Sequence, residues 1–435
     1  MNAEEYISHP GRWSIAFLLA LGVIVNFFDR INLAVSQDAL RASFGLTLIS
    51  FGYLSSAFSW SYAAMQVPAG ILLDRLGVRR VGRMSAFLWS LASFCGAISS
   101  GLPTLFAARL LLGVAESPIF PANAKAIGQW FPERERSKAM SITDTAAKLS
   151  SAIGVPLLGI LLLHFGWRWS FAATGFISLM YFGLFWRVYS EPEEAQRVQT
   201  KRGTIEAQEN RQDQISVRKP LRTMLWYLLR QRQVYGLAIG WGAYNYSFFL
   251  LLTWLPSYLS FSLHADLLHS VLYTSVPWLF AAITDFVVGG WLVDHLVQQG
   301  WNATRVRQTV LVIGTSLGLA IWGAAHAHST VTALLWISIS LGGLAAAAPV
   351  AWTVPSLIAP KDSVGVVSSL ANLCGQLAAI LAPIATGYIV SATHSFAAAF
   401  GIATAILLLG IAGYAFLLGG MKQIPEPDSE EADRQ

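Results

Sequence analysis

The sequence predicts an all-α membrane protein whose twelve transmembrane helices form two pseudo-symmetric six-helix bundles. Its 435 residues are 54% hydrophobic and only 12% charged, whereas soluble domains carry about 25% charged residues. The apolar residues form long blocks separated by charged loops, and a helix needs about 20 residues to cross the hydrocarbon core of a bilayer. A short motif also recurs at equivalent points of the two halves, which is typical of a duplicated helical unit.

The predicted spans follow one another with short connections. They cover residues 13–36, 50–73, 82–100, 104–127, 140–163, 168–189, 234–260, 267–293, 308–326, 331–354, 363–390 and 395–419. The longest polar stretch separates the sixth span from the seventh. The predicted divisions are a first bundle at 1–190, a cytoplasmic linker at 191–233, a second bundle at 234–420 and a cytoplasmic tail at 421–435.

The recurring motif ends the second and the eighth span. It reads Gly70-Ile71-Leu72-Leu73-Asp74-Arg75 in the first half and Gly290-Trp291-Leu292-Val293-Asp294-His295 in the second. Chance similarity of two amphipathic helix ends is the competing interpretation. Under the repeat interpretation, the glycine permits close helix packing and the acid stands at the cytoplasmic mouth of each bundle. We predict that Asp74, Arg75 and Asp294 form a conformational gate.

Basic residues are concentrated in alternate loops: after the second span, after the fourth span and in the linker. This positive-inside pattern predicts that both termini and the linker are cytoplasmic. The net charge of +5 therefore reflects membrane orientation and not a nucleic-acid partner. The N-terminus is polar and the first apolar block is too long for the core of a signal peptide, so we expect no cleaved leader.

The cysteines and histidines do not form a metal-binding pattern. Cys95 and Cys374 lie inside apolar blocks, without disulfide or metal spacing. Most histidines fall in or near outer loops. We expect no metal and no other cofactor, and a monomer embedded in the lipid bilayer.

Two pairs of charged residues interrupt the predicted spans of the first half. Asp29 and Arg30 lie in the first span, and Arg109 and Glu116 lie in the fourth. Seven residues are nearly two helical turns, so Arg109 and Glu116 share a face at a separation of about 10 Å. Arginine binds carboxylates with two parallel hydrogen bonds, and buried acids suit proton transfer. The pattern indicates a site for an organic anion and protons; ion pairs that merely lock helices together are the alternative.

Three further charged residues lie in later spans. Asp144 and Lys148 are one helical turn apart in the fifth span, so they either neutralise each other or contribute to the site. We assign Lys148 to the substrate site as an additional cation. Asp285 stands alone in the eighth span, either as a proton site or as the partner of a distant helix.

Weaker signals come from polar and amphipathic residues inside the spans. We assign Tyr62, Asn245, Trp352, Asn372 and Gln376 to the substrate site. Asn372 and Gln376 are four residues apart and share one face of the eleventh span. They either bind substrate hydroxyl groups or hydrogen-bond between helices.

Other functional classes find little support in the sequence. No G-x-S-x-G, H-E-x-x-H or Walker A sequence stands at a position that suits a catalytic site. A membrane enzyme or an ATP-driven pump is therefore not expected. An anion sensor that does not transport remains a remote alternative, because neither the linker nor the short acidic tail resembles a signalling domain.

Several segments resemble motifs of a known family. They are residues 70–80, Asp29-Arg30-Ile31-Asn32-Leu33-Ala34-Val35, Glu116-Ser117-Pro118-Ile119-Phe120-Pro121, Trp130-Phe131-Pro132-Glu133-Arg134-Glu135-Arg136, Trp167-Arg168-Trp169 and Leu252-Thr253-Trp254-Leu255-Pro256-Ser257-Tyr258-Leu259. Over nearly the whole chain, they are similar to the major facilitator superfamily and, more narrowly, to its anion:cation symporter family. That family includes bacterial transporters for galactonate, glucarate, hexuronates, tartrate and phthalate, and animal sialin and vesicular glutamate carriers.

The resemblance implies alternating access around a central cavity, in the inner membrane of a bacterium. It implies proton coupling by Asp29 and Glu116 and anion binding by Arg30 and Arg109. It also implies pocket positions at Tyr62 and Asn372.

Two departures from the galactonate carrier affect the substrate. Phe27 replaces a tyrosine, and Ala147 with Lys148 replaces a glutamine and an apolar residue. The lost hydroxyl removes a contact to a polyol, and the added cation favours a dianion or a differently placed carboxylate. We expect proton symport of a hexuronate, aldonate or aldarate. An aromatic or aliphatic carboxylate such as phthalate or tartrate is the alternative, which Phe27 and Phe28 keep open.

Overall fold

The regular secondary structure of the described residues is helical. The computed structural model describes residues 11–191, 221–263, 267–360 and 363–426. The predicted linker therefore lies mostly outside the described residues, and so does most of the predicted tail.

The first half consists of six helical elements. They are α1 (Arg12–Val35), α2 (Gln37–Phe44), α3 (Leu48–Ala97), α4 (Leu102–Glu116), α5 (Ile119–Trp130) and α6 (Glu133–Val188). Two of them are interrupted by a glycine with positive φ, Gly77 in α3 (φ 79°) and Gly166 in α6 (φ 79°). Glycine adopts this conformation without the steric cost of a Cβ, so each long element contains two helices joined by a sharp turn.

The second half consists of nine helices and two π-helical segments in the described ranges. The helices are α7 (Leu221–Leu228), α8 (Arg232–Leu263), α9 (Leu267–Thr284), α10 (Val293–Gln298), α11 (Ala303–Gly318), α12 (Ile321–Ala325), α13 (Thr330–Ile358), α14 (Val364–Thr393) and α15 (Ala397–Ala412). The π-helical segments are Asp285–Leu292, which joins α9 to α10, and Gly413–Leu417, which follows α15.

The helices account for all twelve predicted spans. Nine helical stretches of the described residues are long and apolar enough to cross a membrane. One of them, Lys138–Val188, contains two crossings that meet at Gly166, and α3 adds two more that meet at Gly77. The predicted fold class is confirmed.

The structure also contains features that the sequence did not predict. The fourth span is broken between Glu116 and Ile119, where Pro118 precedes α5. Two short helices are additional: α2 follows the first span, and α7 lies inside the range assigned to the linker.

The helices pack as two bundles. In the first, α1 packs on α6 and α3 packs on α4; in the second, α8 packs on α14 and α13 packs on α9 and α11. The bundles meet where α3 contacts α14, where α6 contacts α9 and where α1 contacts α8. We call these three contacts the seams between the bundles.

The helices run between two ends of the molecule. We call the end where α1, α6 and α8 begin the linker side, and the end that carries α2 the far side. On the far side, a Cβ at Gly52 would lie 2.7 Å from the carbonyl oxygen of Pro383, and one at Gly387 would lie 2.6 Å from that of Leu48. Helices this close leave no room for a passage between them. The seam between α3 and α14 is therefore closed on the far side.

Candidate functional site

Asp29 lies inside the first bundle and is held by hydroxyl groups. Ser93 of α3 donates to its Oδ1 over 2.6 Å, and Ser178 of α6 donates to its Oδ2 over 3.1 Å. Only 3% of Asp29 is exposed. Three helices therefore meet at this carboxylate, and each of its oxygens has a hydrogen-bond donor.

Arg30 and Glu116 form a buried ion pair between α1 and α4. Nε of Arg30 lies 3.2 Å from Oε2 of Glu116, and the Glu116 side chain is fully buried. The guanidinium also lies over three aromatic rings, 4.4 Å from the centroid of Phe58, 4.8 Å from that of Phe27 and 5.4 Å from that of Tyr62. Cation–π contacts of this kind stabilise a buried arginine.

Arg109, on the same helix as Glu116, joins this group. Its Nη1 donates to the backbone oxygen of Asp29 over 3.0 Å, and its guanidinium lies 5.4 Å from the centroid of Phe58. The four charged residues singled out in the sequence thus form one cluster. The structure adds Ser93, Ser178 and Phe58, which the sequence did not indicate because serines and phenylalanines are common throughout the spans.

A small cavity separates the two arginines from the second bundle. Its volume is about 20 Å³, and it is lined by Arg30, Leu33, Ala34, Ser55, Phe58, Ser59, Arg109, Phe249, Leu252 and Thr253. Nη2 of Arg30, Nε of Arg109 and Oγ of Ser55 are buried, and none of them has a hydrogen-bond partner among the described residues. Buried donors are rarely left without a partner, so these three atoms are available to an acceptor in the cavity.

A second cluster of charges joins the two bundles. Nζ of Lys148 on α6 lies 2.6 Å from Oδ2 of Asp144 and 2.8 Å from Oδ1 of Asp285, the first residue of the π-helical segment. Thr145 donates to Oδ2 of Asp285 over 2.9 Å. Asp285 was interpreted either as a proton site or as the partner of a distant helix, and its ion pair with Lys148 of α6 supplies that distant partner. The Lys148 ammonium is shared by two carboxylates in this conformation, and its role in substrate binding stays a prediction.

The other predicted site residues lie in both bundles. Tyr62 is buried beside Arg30. Asn245 is buried on α8 and donates to the backbone oxygen of Trp241, whose ring lies 4.8 Å from that of the half-exposed Trp352. Asn372 and Gln376 are half-buried on α14. Tyr62 joins the arginine cluster, whereas the other four belong to the second bundle.

The predicted gate residues lie on the linker side. Asp74 pairs with Lys125 of α5 over 2.8 Å, so its partner belongs to the same bundle, and Arg75 and Asp294 are exposed. Glu191 packs against Gly77 and accepts a hydrogen bond from the backbone N–H of Arg79 over 3.1 Å. The Asp74–Lys125 pair therefore strengthens one bundle, and a gating role for these residues stays a prediction.

The described residues offer no obvious place for a metal. Within the part of the chain that the structure describes, His, Cys, Asp and Glu side chains do not gather into a group of three that could hold a metal ion.

Relatives of the chain are transporters. It is 38% identical to the uncharacterized transporter YybO of Bacillus subtilis (strain 168), over 97% of this chain and 98% of that protein. It is 29% identical to the D-galactonate transporter of Escherichia coli O6:H1, over 98% of this chain and all of that protein. It is 30% identical to the probable galactarate/D-glucarate transporter GarP of Escherichia coli (strain K12), over 95% of this chain and 96% of that protein.

The fold comparison agrees with the sequence comparison. The crystal structure of a bacterial homolog of the human lysosomal transporter Spinster matches 96% of this chain with a TM-score of 0.73 at 16% identity, and all of that chain is covered. The sequence profile of the Major Facilitator Superfamily matches residues 19–383. The motif resemblance is thereby confirmed. This chain is a multi-pass membrane transporter, not an enzyme, and it belongs to the Major Facilitator Superfamily.

Proposed function

We propose that this transporter imports a small organic anion together with protons, and that the anion is a carboxylated sugar. Hexuronates, aldonates and aldarates are the candidate substrates. Two relatives, 29% and 30% identical over nearly the whole chain, are named as a D-galactonate transporter and a probable galactarate/D-glucarate transporter. The two arginines of the site also favour an anion.

The unpaired donors of Arg30 and Arg109 carry the proposal. Both guanidinium groups line one cavity, where Nη2 of Arg30 and Nε of Arg109 have no partner among the described residues. A carboxylate is planar and accepts two parallel hydrogen bonds, so it matches a guanidinium better than other small groups do. The hydroxyl groups of Ser55, Ser59 and Thr253 line the same cavity and suit the hydroxyls of a sugar acid.

The charge of the cluster accounts for proton coupling. Asp29, Arg30, Arg109 and Glu116 sum to zero when all four are ionised. A bound carboxylate adds one negative charge, and an uncompensated charge in the membrane interior costs several kcal/mol. One proton on Glu116 restores neutrality and frees Arg30 to bind the anion. Oε1 of Glu116 accepts no hydrogen bond from the described residues and offers a position for that proton.

The size of the cavity requires the bundles to move. A volume of about 20 Å³ holds little more than one water molecule, far less than a sugar acid. Phe249, Leu252 and Thr253 of α8 must therefore withdraw from the arginines before the substrate enters. Such a separation of the bundles is what alternating access provides.

Membrane orientation completes the proposal. Arg75, Arg79, Arg80 and Arg83 lie on the linker side, and basic residues favour the cytoplasmic side. We assign the linker side to the cytoplasm and the far side to the exterior of a bacterial cell membrane. Protons moving inward then offset the membrane potential, which opposes the import of an anion by about 2.3 kcal/mol per charge per 100 mV.

An aromatic or aliphatic carboxylate is the second candidate substrate. Phe58 and Phe249 line the cavity beside the arginines, and their rings suit an aromatic carboxylate such as phthalate. A smaller diacid such as tartrate would also fit the charges. Both are transported by the same mechanism in this alternative.

Uptake by reconstituted protein tests the proposal. Proteoliposomes containing the protein are given radiolabelled hexuronates, aldonates, aldarates, phthalate and tartrate, with and without an inwardly directed pH gradient. We expect uptake of at least one sugar acid, and acceleration by the gradient. The anion assignment would be refuted if no compound of the panel were taken up and none raised the melting temperature of the protein. Uptake of phthalate or tartrate alone would select the second candidate.

A further inference from the structure

The inter-bundle cluster of Asp144, Lys148 and Asp285 has more negative than positive charge. Two carboxylates lie within 2.8 Å of one ammonium group, so the cluster carries a net charge of −1 when all three residues are ionised. The side chains of Lys148 and Asp285 are 3% and 0% exposed. A net charge in such surroundings is costly unless water or a proton compensates it.

The backbone at Asp285 is also unusual. Asp285 begins a π-helical segment of eight residues, and π-helical turns are frequent at functional sites. Within it, a Cβ at Gly289 would lie 2.7 Å from the carbonyl oxygen of Ala346 on α13. The segment is therefore packed tightly against its own bundle, while Asp285 reaches across to α6 of the other bundle.

Few other groups act on the cluster. Tyr244 of α8 interacts electrostatically with Asp144, Lys148 and Asp285. The helix α13, which packs against the π-helical segment, has no titratable side chain. Asp294 lies further along the same chain segment and is exposed. The charge of the cluster is thus set by its own three members, with Tyr244 as the neighbouring titratable group.

The three members of the cluster differ in their exposure. Asp144 is its most exposed member, with 22% of its side chain accessible. The first helix of α6, before Gly166, runs from the linker side towards the far side. Asp144 therefore lies one helical turn nearer the linker side than Lys148 does. The most exposed carboxylate of the cluster therefore lies towards the linker side, while the seam between α3 and α14 is closed on the far side by the contacts of Gly52 and Gly387.

We propose that Asp144, Lys148 and Asp285 form a second proton-binding site, which is deprotonated in this conformation and takes up one proton when the linker side closes. The ion pair of Lys148 with Asp285 and the hydrogen bond from Thr145 suit an ionised Asp285. Closure of the linker side removes water from Asp144 and leaves the negative charge buried. A proton from the far side, which is then open, binds a carboxylate oxygen and neutralises the cluster. Reopening the linker side restores the water and releases the proton.

The number of protons carried per anion tests this inference, which rests on the proposed function. Proteoliposomes are held at zero membrane potential with potassium and valinomycin, and the transported sugar acid is set at different inside-to-outside ratios under a fixed pH gradient. Net flux stops at a balancing ratio, which changes about tenfold per pH unit for each proton carried. The measurement therefore counts protons independently of the transport rate.

Two variants remove the charge in different ways. Asp285→Asn leaves the Asp144–Lys148 pair, and Asp144→Asn leaves the Lys148–Asp285 pair. In both variants, we expect substrate exchange to persist. We expect the balancing ratio to be lower than that of the native protein by about tenfold for each pH unit of the gradient. The control is Asp38→Asn, because Asp38 on the far side is 59% exposed and should leave the ratio unchanged.

The outcomes separate this inference from the proposed function. A variant that exchanges substrate but keeps the native balancing ratio overturns the second proton site and leaves the cluster a structural ion pair. If Asp285→Asn does not fold, as judged by size-exclusion chromatography, Asp144→Asn decides the question. Absence of any carboxylate flux through the native protein overturns the proposed function itself, whatever the variants do.

Discussion

Nε of Arg30 lies 3.2 Å from Oε2 of Glu116, and this ion pair joins α1 to α4 at the centre of the first bundle. The same guanidinium lines the cavity at the seam with the second bundle. Arg30 therefore has two possible partners, the carboxylate of Glu116 and the carboxylate of a substrate. In the proposed mechanism, a proton on Glu116 decides between them, because a neutral acid no longer competes for the guanidinium.

Glu116→Gln should separate proton coupling from substrate exchange. The amide keeps the shape of the side chain but cannot be ionised, so Arg30 stays available to the anion. We expect uptake driven by a pH gradient to fall, while exchange of internal for external substrate continues. Loss of both activities together would instead mean that Glu116 is needed for the structure.

Arg30→Lys and Arg109→Lys should weaken anion binding. Lysine keeps the charge but loses the paired donors of the guanidinium, and a hydrogen bond to a charged group contributes about 1.5–3 kcal/mol. We expect the dissociation constant of the transported acid to rise about tenfold to a hundredfold, measured by calorimetry in detergent. Arg305→Lys is the matched control, since Arg305 is exposed at the start of α11. Native affinity in either test variant would exclude that arginine from the site.

Gly52→Ala should favour opening of the far side. A Cβ at this position would lie 2.7 Å from the carbonyl oxygen of Pro383, and overpacking of this kind costs about 1–3 kcal/mol. The cost falls only on the conformation in which α3 and α14 touch. We expect a cysteine introduced at Phe249 to react faster with a membrane-impermeant maleimide in right-side-out vesicles, in a background without Cys95 and Cys374.

The matched control for this variant is Gly183→Ala, because a Cβ at Gly183 would meet no atom within 4 Å. It should leave the labelling rate unchanged. Equal labelling rates in the native background and in Gly52→Ala would show that closure does not depend on this contact.

Reporter fusions should reveal the orientation of the chain. A green fluorescent protein joined after Gln435 should fluoresce, and alkaline phosphatase at the same point should be inactive, since we assign both termini to the cytoplasm. Alkaline phosphatase inserted after Gly45, in the turn that follows α2 on the far side, should be active. The reverse pattern would invert the direction of transport in the proposal.

The fold was largely predictable from the sequence. The apolar blocks have the length that a bilayer requires, and this constraint acts on each span separately. The break between Glu116 and Ile119 and the short helices α2 and α7 were not predicted. They interrupt or join spans without changing the apolar pattern, so the length criterion does not detect them.

The arginine cluster was also predictable, but its contacts were not. Asp29, Arg30, Arg109 and Glu116 are conspicuous because charged residues are rare inside spans. Which of them pair depends on the distance between α1 and α4, which no local pattern contains. The pairing of Arg30 with Glu116, and the hydrogen bond from Arg109 to the backbone of Asp29, therefore emerged only from the fold.

The sequence by itself determined that this chain crosses the membrane many times, and which ionisable residues lie inside it, because the bilayer acts on every span in the same way. Only the tertiary structure decided that Asp285 pairs with Lys148, 137 positions earlier in the chain. It also decided that two arginines share one cavity at the seam. Both relationships depend on how the two bundles meet, which is set by packing between residues far apart in the sequence.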